Sequence, residues 1–70
     1  MARATGRVGI GTGSPAATLD VTGTDAMIVP KGTTAERPGS AESGMVRFNT
    51  TTSCFEGYNG TSWVNLGAYN

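Results

Sequence analysis

Seventy residues carrying five Lys or Arg, five Asp or Glu, no His and a single Cys make one small domain of zero net charge. That inventory excludes an intrachain disulfide, a zinc site of His and Cys ligands, a basic stripe for tracking nucleic acid and any run of about 18 apolar residues for membrane insertion. Leu, Ile, Val and Phe number only 11 of the 70 residues, below the roughly 20% associated with disorder in strongly charged chains, and the zero net charge argues against disorder and for a core shared between copies.

Residues 1–6 are a basic arm without the apolar stretch of a signal peptide, so cytosolic synthesis is expected. From Arg7 to Gly13, Val8 and Ile10 alternate with Gly9 and Gly11, the pattern of a strand whose glycine face leaves room for another backbone. Intertwined chains would supply that neighbour. Ser14-Pro15-Ala16-Ala17 reads as a turn or one short helical turn capped by Ser14. Thr18–Thr22 alternates again, with Leu19 and Val21 opposite Asp20. After a turn at Gly23–Asp25, the apolar run Ala26–Pro30 predicts a third strand containing Ile28 and Val29. Residues 7–30 are thus expected to form an extended shaft segment.

Residues 31–43 hold no apolar side chain larger than Ala and predict an irregular linker, with Thr33 or Thr34 starting a helical turn and Pro38-Gly39 making a corner. Such a segment is expected to lie along a neighbouring surface. Residues 44–67 predict a three-stranded antiparallel meander. Val46 and Phe48 share one face with Arg47 on the other; Phe55 and Gly57 flank Glu56; Asn59-Gly60 is a strong hairpin signal; Trp63, Val64 and Leu66 complete the sheet. Val46, Phe48, Phe55, Tyr58, Trp63, Val64 and Leu66 are the candidate meander core. Residues 68–70 are a tail.

The chemistry-bearing motifs resolve to structural readings. Glycines 9, 11 and 13 fall short of a dinucleotide fingerprint, because Ser14 stands where the pattern continues and no long helix follows. Lys31-Gly32-Thr33 has the wrong order for a phosphate loop. Asn49-Thr50-Thr51 and Asn59-Gly60-Thr61 match glycosylation acceptors, and turn chemistry explains both. The five acidic residues are scattered, no nucleophile–base pair is visible, and Cys54 has no neighbouring cation. No cofactor, metal or catalytic residue is therefore expected. Tyr58 and Trp63 are expected to pair across strands, and with Tyr69 they are candidate surface-binding aromatics.

Val8–Val21, Gly32–Pro38, Gly44–Thr52 and Tyr58–Trp63, in this order, resemble segments of bacteriophage tail-fibre and head-fibre proteins. The likeness spans roughly residues 7 to 67. It implies an all-β homotrimer on the virion, with short extended strands intertwined about a threefold axis before the small meander, and contacts with other virion proteins of the capsid, collar or tail. Typical fibres are far longer, which points the expectation toward a short fibre or a capsid or collar decoration, with residues 1–6 as its anchor.

A non-enzymatic virion structural protein is the leading reading, in which three copies pool Val8, Ile10, Leu19, Val21, Ile28 and Val29 at a shared core. Each contributes about 1.5–3 kcal/mol if fully buried. The alternative is a module at a fibre tip that binds a host-surface glycan through Trp63, Tyr58 and the meander loops.

Overall fold

The computed structural model describes residues 2–4 and 6–67. Over those residues the chain is all-β, without an α-helix: β1 (Ala2–Ala4), β2 (Arg7–Ile10), β3 (Leu19–Val21), β4 (Lys31–Gly32), β5 (Val46–Asn49), β6 (Cys54–Tyr58) and β7 (Trp63–Asn65), with one 3₁₀ turn at Thr34–Glu36. The strands form two mixed sheets.

In the first sheet β2 lies between antiparallel β1 and parallel β3, with Val8 opposite Leu19 and Ile10 opposite Val21. The stretch expected to be a free arm thus enters the sheet at Ala2–Ala4. Parallel neighbours ordinarily need a connection of a dozen or more residues; here residues 11–18 suffice because glycines let the chain fold tightly on itself. Gly11 takes φ 83°, and a β-carbon there would run into the Thr22 carbonyl oxygen. A β-carbon on Gly9 would lie 2.6 Å from the Thr12 carbonyl oxygen and 2.9 Å from Pro15 Cγ. These glycines accommodate a close approach of their own chain, at Thr12, Pro15 and Thr22. Of the turn or short helical turn expected over residues 14–17, the chain makes the non-helical one, a series of bends. Their backbone is held by other means, with Ala16 N–H donating to Asp20 Oδ2 at 2.8 Å and the Arg7 guanidinium donating to Pro15 O at 3.2 Å.

The second sheet runs β4-β5-β6-β7. The antiparallel meander β5–β7 forms as expected, with Tyr58 opposite Trp63, and its register sets Phe48 opposite Phe55 and Arg47 opposite Glu56. A fourth strand, β4, extends it in parallel with β5, through Phe48 N–H to Pro30 O at 2.9 Å and Thr50 N–H to Gly32 O at 2.8 Å. The strand expected over Ala26–Pro30 does not form: pairing starts only at Lys31, because Pro30 has no N–H to give to a ladder and contributes its carbonyl alone. Between β6 and β7, only Gly60 of the Asn-Gly pair takes a positive φ, 100°. The connection is accordingly the longer loop 59–62, not a two-residue turn, and Asn59 Oδ1 accepts Thr61 and Ser62 N–H, each at 2.9 Å.

The radius of gyration is 14.5 Å and the extents are 37 × 26 × 20 Å. A compact 70-residue domain has a radius near about 11 Å. The chain is elongated, and among the described residues no hydrophobic side chain is fully buried.

Candidate functional site

Period-two alternation divides the second sheet into a polar face and an apolar face, and the chain covers the polar one. The segment after β4 lies over it. Arg47, Asn49 and Glu56 are 6%, 0% and 4% exposed, so the centre of this small molecule is ionic. Glu56 accepts from four donors: Arg37 Nη2 at 2.8 Å and Asn49 Nδ2 at 3.2 Å on Oε1, Arg37 Nε at 3.0 Å and Arg47 Nη1 at 2.6 Å on Oε2. The Arg37 contact is a two-pronged fork, the strongest geometry a carboxylate accepts.

The same cluster secures the loop. Arg47 Nη2 donates to Thr33 O at 3.1 Å, Asn49 Nδ2 to Thr34 Oγ1 at 2.9 Å, and Thr33 N–H to Glu36 Oε1 at 2.8 Å. Asn49 Oδ1 meanwhile accepts Thr51 and Thr52 N–H at 2.9 and 3.3 Å, which closes the β5–β6 turn. Gly32 lets the cluster approach, since a β-carbon there would sit 2.8 Å from both Arg47 Nη2 and Glu36 Oε1. Among the described residues no buried side-chain nitrogen or oxygen lacks a partner. Chiefly through its bond to Arg37, with Asn49 and Arg47 adding and burial opposing, Glu56 is held well below the usual carboxylate range, at about 2. The Arg37 guanidinium is raised in turn by Glu56.

Trp63 stacks beside this cluster, its ring centre 5.7 Å from the Arg37 guanidinium carbon and 6.0 Å from that of Arg47. Tyr58 lies against it at 5.2 Å, the cross-strand pair that the sequence predicts. These two aromatics therefore stand on the polar face, apart from the five aliphatic and phenyl residues grouped with them as meander core. Tyr69 falls outside the described residues.

The apolar face has no such cover. Val46, Phe55, Val64 and Leu66 are 53%, 51%, 39% and 55% exposed, while Phe48 is half-buried edge-on against Phe55 with ring centres 5.0 Å apart. The first sheet repeats the arrangement. Its loop packs Pro15 onto Gly9 on one face, and the opposite face presents Ile10, Leu19 and Val21 at 47%, 57% and 48% exposure beside half-buried Val8. Met27, Ile28 and Val29 join the two surfaces: Val21 and Met27 line one shallow groove, and Met27, Ile28 and Val29 line another with Phe48 and Phe55. The two grooves thus link the apolar faces of the sheets through Met27 into one apolar band. Ile28, at 85%, is its most exposed member.

The ionic cluster is what reading the sequence missed. Arg37 and Glu36 lay in a segment judged able to bury little, and Glu56 among scattered acids. The available signal was the strict alternation Val46-Arg47-Phe48-Asn49 paired with Phe55-Glu56-Gly57, which places a charge opposite a charge.

A family model described as a phage tail like trimerisation region matches residues 9–70. Neither a curated protein nor a solved structure matches the chain.

Proposed function

The chain belongs to the phage tail-like trimerisation family, and from that premise we propose that its apolar band is the surface on which three copies join to build a short fibre segment or a capsid or collar decoration of a virion. One observation carries the reading: in both sheets the chain spends its own loops on the polar face and leaves the apolar face open. A monomeric fold does the reverse. Val8, Ile10, Leu19 and Val21 from the first sheet, with Ile28, Val29, Phe48 and Phe55 from the second part, are the residues this reading buries between copies. Contacts with other virion proteins belong to the same proposal. A density map of the assembled particle tests them by locating the threefold module on the capsid, the collar or the tail.

A second reading, recognition of a host-surface glycan, draws on the groove of about 480 Å³ where Trp63 and Arg47 meet Lys31, Glu36 and Pro38. Pro30, Met45 and Val46 also line it, and an apolar groove carrying one aromatic and a few charged groups is the kind of surface a sugar can use. Replacing Trp63→Ala separates the two readings. Loss of cell binding with trimers retained supports recognition; unchanged binding in a retained trimer rejects it.

A further inference from the structure

Among the features of the apolar face are a projection beside the Phe48–Phe55 pair and a hollow at the Val46 end of β5. The projection is Ile28, 85% exposed, next to β4. Its backbone is tethered close by, since Pro30 O accepts Phe48 N–H at 2.9 Å and the following proline keeps Val29 extended. The hollow, of about 230 Å³, lies over Gly57 between Val46, Val64 and Leu66. Gly57 is the only position of the face on β5–β7 without a side chain, and its φ is not in the left-handed region. Leu66 of the same chain takes the space that glycine leaves, its Cδ1 3.1 Å from where a β-carbon would stand, so Gly57 is buried and the hollow opens beside it.

Resting on the trimer reading above, we infer that Ile28 of each copy seats in the Gly57 hollow of the next copy, so that the three chains are joined head to tail around the Phe48–Phe55 pairs. Knob and socket on different parts of one surface make a heterologous contact, which closes as a ring of three when each step is a pure rotation of a third of a turn. Both partners are apolar and uncharged, and the occupant is a second copy because the family match is to a trimerisation region and the band is continuous with both features.

The full chain carrying Cys54→Ser, Ile28→Cys and Val64→Cys tests this under mild oxidation. The expected result is a covalent trimer on a non-reducing gel, absent from either single-cysteine variant in the same Cys54→Ser background. Trimers by sedimentation without any interchain disulfide, or with a disulfide within one chain, would overturn the seating while leaving the trimer reading intact. Folded monomers by sedimentation would overturn both. A second variant, Ile28→Asp, alters a side chain that touches little of its own chain and should raise the concentration at which trimers half-dissociate by at least tenfold; an unchanged midpoint would count against the proposal.

Discussion

Asn49 is the most buried side chain of the described residues, at 0% exposure, and it satisfies three separate parts of the chain at once. Its amide reaches Thr34 and Glu56, and its carbonyl takes the N–H groups of Thr51 and Thr52. Replacing Asn49→Ala strands those partners and should destabilise the fold by about 2–3 kcal/mol, read from urea unfolding. The Asn49→Asp variant keeps the size but sets a carboxylate 3.2 Å from Glu56 Oε1 in place of a donor. It should therefore be more harmful at pH 7 than at pH 4, where one of the two acids can hold a proton. Glu56 itself predicts an acid dependence. Because its folded value of about 2 lies below the ordinary 4.5, the stabilisation it supplies is complete above about pH 4.5 and fades as pH falls toward 2. Melting curves of the parent and Glu56→Gln should differ most above pH 4.5 and converge through that interval.

At the scale of elements, what the sequence made legible was what alternation alone determines. Val46-Arg47-Phe48 and Phe55-Glu56-Gly57 give the faces of β5 and β6, and Tyr58 stands opposite Trp63 as expected. Parallel β4 and the crossover from β2 to β3 were not legible, because they depend on long-range contacts of Gly, Pro and Thr, which carry no periodicity. The Ala26–Pro30 run misled for the same reason: its apolar content is that of a strand, yet it stays unpaired and largely exposed beside Phe48 and Phe55. Gly11 gives a test of the crossover. Any side chain there meets the Thr22 carbonyl oxygen and must also hold φ 83°, so Gly11→Ala should lower the melting temperature, while Gly13→Ala, with open space around it, should change it little. Equal effects would mean that the tight crossover is absent in solution.

For the whole molecule, the two sheets share one plan. Polar groups are satisfied within the chain by the Glu56 cluster and by Asp20 at Ala16, and the large apolar groups stay exposed. The composition already implied that a single copy lacks a core; which face stays open could not be read without knowing where the linker lies. Introducing a charge at the centre of the open face, Phe55→Asp, should leave the Glu56 cluster formed on the opposite face while abolishing association. The most direct test is sedimentation equilibrium of the unmodified chain over a range of micromolar concentrations. The account predicts a folded species of three times the 7.1 kDa chain mass. A well-folded species of single-chain mass across that whole range would contradict it.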